Sequence, residues 1–148
     1  MEKILNFKDK TRVILRLIQS VVGVVFLIAF TLVAPIKELG TMAIPAILIA
    51  LIIIFDGFFR FLTIRKGISI NYEEKTLTYP DLYRVKTIKL SDVISARATY
   101  KAYSGATLGT STYSYNIQIH TSTNDTTIIF SSEDIRDKVL KSIREARD

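Results

Sequence analysis

The chain changes rhythm once along its length, from long apolar runs to short alternating ones. From Val13 to Ala34 it reads VILRLIQSVVGVVFLIAFTLVA, and after Arg16 and Gln19 no charged or amide residue interrupts the run. As a helix rising about 1.5 Å per residue, this stretch reaches about 30 Å, the thickness of a bilayer's hydrocarbon core. A second run, Met42 to Ile64, reads MAIPAILIALIIIFDGFFRFLTI, and only Asp56 and Arg60 break its last third. Between them PIKELGT (35–41) carries Pro35 and Gly40 as stop and start signals, which predicts an antiparallel pair of membrane helices. A cleaved signal peptide fits less well, because the first apolar core exceeds the usual length of about 7–15 residues and a second run follows at once. Two buried helices of a soluble protein would leave more Ile, Leu and Phe than so short a chain can cover.

Beyond Gly67 the apolar period becomes two. GISINYEEKTLTYP (67–80) reads as strand, acidic turn and strand, and YRVKTIKL (83–90) and DVISARATYKAY (92–103) read as further strands. SGATLGTST (104–112) has no apolar alternation, and then YSYNIQIHT (113–121) and TTIIFSS (126–132) flank the turn NDT. A final helix is marked by Ser131 or Ser132 as cap, Glu133 and Asp134 in its first turn, and Ile135, Val139, Leu140, Ile143 and Ala146 on one face. Lys138, Lys141, Arg144 and Arg147 fall on its remaining surface. That apolar stripe needs a partner, and the antiparallel sheet is the one on offer. The expected fold class is therefore an α+β membrane protein. Residues 1–66 hold the N-terminal segment and the helical hairpin, with spans near 13–34 and 42–64. Residues 67–148 form an antiparallel sheet or barrel closed by one helix.

An antiparallel meander closed by a C-terminal helix resembles the pleckstrin-homology (PH)-like fold, and the whole chain resembles small bacterial membrane proteins in which one or two spans precede a PH-like domain. The residues carrying the likeness are ISINYEEKTLTYP (68–80) and TIKLSDVISARA (87–98). Six strands are readable where that fold has seven, so either a strand is hidden in 104–112 or the barrel is incomplete. The resemblance implies a membrane-anchored, non-enzymatic module that binds a protein partner or assembles within a membrane complex, including as a homo-oligomer. Two alternatives stay open: an immunity protein that protects a cell from its own membrane-active peptide, and a regulatory subunit of a transporter.

Charge adds the orientation. The 148 residues carry a formal charge of +6, and residues 1–66 hold nine basic and four acidic side chains against eleven and ten in residues 67–148. Lys3, Lys8, Lys10, Arg12, Arg16, Arg60, Arg65 and Lys66 flank the outer ends of the two runs, and Lys37 alone sits in the connection. The positive-inside rule then puts both termini in the cytoplasm of a multi-pass cell-membrane protein. The nearly neutral second half lacks the basic stripe of a nucleic-acid binder. Specific phosphoinositide binding is also not expected, since no Lys or Arg lies between Lys101 and Arg136. With no Cys and the single His120 there is no thiolate nucleophile or multi-His metal site, and no nucleophile or phosphate-loop motif appears, so neither enzyme activity nor a metal or cofactor is expected. His120 reads as a solvent-facing strand residue.

Three groups remain as candidate sites. Asp56 and Arg60 share one face of the second helix, and an ionisable residue inside a span is a functional candidate by default; the simpler reading pairs Asp56 with Arg60 or with Arg16 at similar depth. Ala46 and Ala50 form a small-xxx-small pair suited to close helix packing. Tyr100, Tyr103, Tyr113 and Tyr115 edge the Ser/Thr/Gly-rich stretch with Thr107 and Thr110, which reads either as an adaptable partner-binding loop or as a long hairpin whose tyrosines pair across strands. The residues before the first run, where Lys3, Lys8, Lys10 and Arg12 interleave with Ile4, Leu5 and Phe7, read as topology signal or as an interfacial segment.

Overall fold

The computed structural model describes residues 3–33, 40–104 and 111–148. Its first half is a pair of helices, α1 (Lys10–Val33) and α2 (Ala43–Ile64), the second entered through a 3-10 turn at Gly40–Met42. Both helices are long and apolar enough to cross a membrane. Pro35 to Leu39 of the expected connection lie outside the described residues.

The helices pack through small residues. Ser20 and Gly23 are the buried residues of α1, and Ala43, Ala50 and Gly57 form a line at seven-residue spacing on α2. At this crossing a Cβ added to Gly57 would sit 3.0 Å from the Ser20 nitrogen and 3.1 Å from the Arg16 carbonyl oxygen, both backbone atoms that cannot rotate away. Ser20 Oγ also donates to the Ile54 carbonyl across the pair at 3.0 Å. The large side chains, Ile14, Val25, Ile28, Ile49, Ile52 and Phe55 among them, point outward and are exposed.

The second half contains two antiparallel sheets. One holds four strands in the order β1 (Ile4–Phe7), β2 (Ile68–Asn71), β3 (Thr76–Asp81) and β4 (Arg84–Lys89); the other holds β5 (Val93–Ser104), β6 (Ser111–Thr121) and β7 (Asp125–Phe130). The closing helix α3 (Glu133–Arg147) is capped by Ser132, whose hydroxyl accepts from the Ile135 nitrogen. Val139, Leu140, Ile143 and Ala146 are buried with Ile70, Leu77, Tyr79, Leu90, Ile117, Ile119, Ile128 and Phe130 in one core, and Ile135 packs at its edge. The two sheets are hydrogen-bonded within themselves and are not joined into a closed barrel.

One strand lies where the alternation gave no signal. β1 comes from ahead of the first helix and pairs antiparallel with β2, Leu5 opposite Ile70 and Phe7 opposite Ile68. A strand beyond the six readable ones is thus formed by the segment read as topology signal or interfacial segment, and it joins the sheet from ahead of the first helix. Gly67 makes the junction possible. It ends α2 with φ +75°, and a Cβ there would stand 2.5 Å from the Phe7 carbonyl oxygen, so a larger residue would push β1 off the sheet.

The stretch 104–112 is flanked by strands on both sides. β5 and β6 run to Ser104 and from Ser111, pairing in register up to Tyr103 opposite Thr112 and Ser104 opposite Ser111. The flanks of the stretch are thus paired strands of one hairpin. Thr107 and Thr110, and the side chain of Tyr103, lie outside the described residues.

Candidate functional site

A polar cluster marks the place where helices meet sheets. Asp56 accepts from Arg60 Nε at 2.8 Å and from the Tyr83 hydroxyl at 2.6 Å on one oxygen, and from Gln19 Nε2 at 3.0 Å on the other. Arg16 stands 4.0 Å from that second oxygen and donates to Gln19 Oε1 at 2.7 Å. The spacing argument thus finds Asp56, Arg60 and Arg16 together. It misses Gln19 and Tyr83. Gln19 lies three residues after Arg16 on the same helical face, which is a readable signal. Tyr83 comes from the two-residue turn between β3 and β4, where Asp81 pairs with Arg84. Leu82 in this turn has φ +46°, a backbone state that costs a residue with a Cβ, and a Leu-Tyr pair in place of the usual Asn-Gly is the sequence clue. With both oxygens engaged, Asp56 acts as a docking point that ties the sheet turn to α1 and α2. Arg60 also lies over the Tyr83 ring, 5.5 Å from its centre.

A second tie joins the other ends. Asp9 caps α1 by accepting from the Arg12 nitrogen at 3.2 Å, and its carboxylate also takes the Ser131 nitrogen at 2.7 Å and the Ser131 hydroxyl at 2.5 Å, at the junction of β7 and α3. Arg12 Nη1 donates to the Ile129 carbonyl. Nothing in the spacing of residues 9 and 131 announces this contact.

The tyrosines sort by the cover that α3 provides. Directly opposed residues of an antiparallel ladder share a face, so Tyr100 with Tyr115 and Ala102 with Tyr113 continue the face of Ala98 with Ile117 and Ala96 with Ile119. Ile117 and Ile119 are fully buried, Tyr115 is half-buried, and Tyr100 and Tyr113 are 69% and 54% exposed. Arg136 sets the limit. It is buried, donates to Glu133, Asp137 and the Thr99 carbonyl, and lies 5.6 Å from the centre of the Tyr115 ring. Hydrogen bonding to Asp137, with Glu133 behind it, raises the guanidinium pKa above its usual value. Beyond that point Tyr100 and Tyr113, on the described part of the hairpin, stand uncovered.

The remaining candidates fall into place simply. Ala50 is fully buried at the helix crossing, Ala46 is half-buried beside it, and Gly57 and Gly23 leave no room there for a Cβ. His120 Nδ1 lies 2.7 Å from Asp125 Oδ1 across the β6–β7 ladder, partly exposed. Among the described residues no group of three or more His, Asp or Glu side chains could hold a metal ion. Comparison with family models, with curated proteins and with solved structures gives no match.

Proposed function

We propose that the chain is a two-span membrane protein whose sheet unit is a PH-like, non-enzymatic interaction module held at the cytoplasmic face. The basic flanks of the helices support the orientation. A four-stranded and a three-stranded antiparallel sheet with one C-terminal helix in their core support the PH-like reading. The module binds a protein partner through Tyr100 and Tyr113, and the observation that carries this is the uncovered aromatic face of the β5–β6 overhang. Tyrosine supplies contact area at low entropy cost, and two of them on one face of the ladder beyond the core form an anchor.

The test is photocrosslinking in cells of the full chain with a photoreactive residue at Tyr100 or Tyr113, and with Lys141 on the exposed side of α3 as control. A specific adduct at 100 and 113, lost in the Tyr100→Ser, Tyr113→Ser double variant without loss of folding, supports the proposal. Adducts equal at 141 contradict it. Challenge of the same cells with membrane-active peptides separates the immunity role, which the double variant would abolish, and co-purification of a transporter separates the regulatory one. If Ala46→Leu with Ala50→Leu removes association while the tyrosine variant keeps it, recognition lies between helices.

A further inference from the structure

An open groove of about 530 Å³ runs along α2, walled by Leu48, Leu51, Ile52, Phe55 and Phe59, with Asp56 and Tyr83 at one end. These five apolar positions fall on one helical face, and from Leu48 to Phe59 they extend about 16 Å at 1.5 Å per residue. Half of a bilayer's hydrocarbon core is about 15 Å, the depth reached by one acyl chain. Asp56 lies about 12 Å along the stripe from Leu48 and Arg60 follows Phe59, so the arginine falls at headgroup level when the apolar stripe lies in one leaflet.

Cationic groups stand beside that end, outside the lining itself, whose one charged side chain is Asp56. Asp56 is taken up by Tyr83, Arg60 and Gln19, and the two guanidinium groups beside it, Arg16 and Arg60, outnumber it. Both arginine side chains remain partly exposed, at 29% and 28%. Arg65 and Lys66 follow one turn later and add to the field. The groove also differs from the bare side of a membrane helix, because the sheet unit contributes Tyr83 as a wall on a turn held in a costly backbone state.

We infer that this groove holds one anionic phospholipid of the cytoplasmic leaflet, with an acyl chain along Leu48 to Phe59 and its phosphate on the Arg16 and Arg60 guanidinium groups beside Tyr83. The inference rests on the two-span reading above. Its consequence is that headgroup charge bears on the contact between helices and sheet unit, since Arg60 serves both the lipid and the Asp56–Tyr83 tie.

The experiment uses the full chain in nanodiscs with equal amounts of phosphatidylglycerol and phosphatidylcholine, released and weighed intact by native mass spectrometry. One phosphatidylglycerol should be retained in preference to phosphatidylcholine. Arg60→Gln should lower that preference about tenfold, the scale of one charge-assisted hydrogen bond. Ile52→Trp, which fills the groove from an exposed position, should expel the lipid while thermal unfolding stays unchanged. Equal retention of both lipids, a preference indifferent to Arg60→Gln, or a second copy of the chain in place of lipid would overturn the site. Should Arg60→Gln fail to fold, lipid retention unchanged by Ile52→Trp contradicts the proposal by itself. Extraction of the wild-type chain from membranes by alkaline carbonate would bring down the two-span reading and the lipid site together; a chain that resists extraction yet shows no lipid preference loses the site alone.

Discussion

Along the helical pair the hidden residues are Ser20, Gly23, Ala43, Ala50 and Gly57, joined by Thr63 and Ile64 only where α2 runs into the sheet unit, and most large apolar side chains stand outside; in the sheet unit Ile70, Leu77, Ile117, Ile119 and Ile143 are hidden and most of the outer surface is polar. Water drives large apolar groups together, so a unit folded in water hides them. In hydrocarbon that drive vanishes, and helices associate by close backbone approach at small residues. The inversion supports a hydrocarbon setting for α1 and α2 more specifically than their length does, because a soluble core helix of equal length would turn its large side chains inward.

The contrast can be broken by substitutions of opposite sense. Leu140→Ala in α3 should cost about 2–5 kcal/mol in chemical unfolding, since the cavity opens in a packed core, whereas Ile52→Ala on α2 should cost close to nothing in micelles. Equal losses at both positions would mean that α2 buries Ile52 in the same sense as the sheet core does. Gly57→Val works the other way. Its added atoms meet the Ser20 and Arg16 backbone, so the helix pair should lose about 1–3 kcal/mol, read as separation of spin labels on α1 and α2 while the sheet unit keeps its own melting profile.

The ties between the two regions sharpen the comparison. Asp9→Ala removes the α1 cap and the acceptor for Ser131, and should cost about 0.5–2 kcal/mol, with faster amide hydrogen exchange at Ser131 and at the first turn of α1 together. Faster exchange at α1 alone would show that the two regions are not coupled through this carboxylate. Leu82→Gly is the smallest expected effect. Relief of the φ +46° backbone should stabilise the turn by about 0.5–1 kcal/mol after the entropic cost of glycine, measured by thermal unfolding in micelles. A net loss would mean that the Leu82 side chain holds the turn against the helices more strongly than its backbone strains it.

Much of this was legible in the order of residues, and the exceptions have physical reasons. The spans expected at 13–34 and 42–64 correspond to α1 at Lys10–Val33 and α2 at Ala43–Ile64, because long apolar runs carry their own length. β2 to β7 follow the period-two segments within a few residues, and α3 begins at the capping serine. β1 escapes because four residues, Ile4 to Phe7, carry too little periodicity, and their partner strand is some sixty residues away. At the candidate site the same division holds. Asp56, Arg60 and Arg16 are found by helical spacing and depth, whereas Tyr83 and Ser131 reach their carboxylates only through the docking of sheet against helix. Ala50 of the small-residue pair lies buried at the helix crossing and Ala46 is half-buried, and Gly57 and Gly23 also lie there with no room for a Cβ.

The two-span reading meets its most direct test in cysteine accessibility, which the absence of native cysteines keeps clean. Thr41→Cys lies in the exposed turn between the spans, and Lys101→Cys lies on the exposed part of β5. In intact cells an impermeant thiol reagent should label residue 41 and spare residue 101, which becomes reactive only after the membrane is opened. Labelling of residue 101 in intact cells, or equal labelling of both positions before and after opening, would contradict two spans with the sheet unit on the cytoplasmic side.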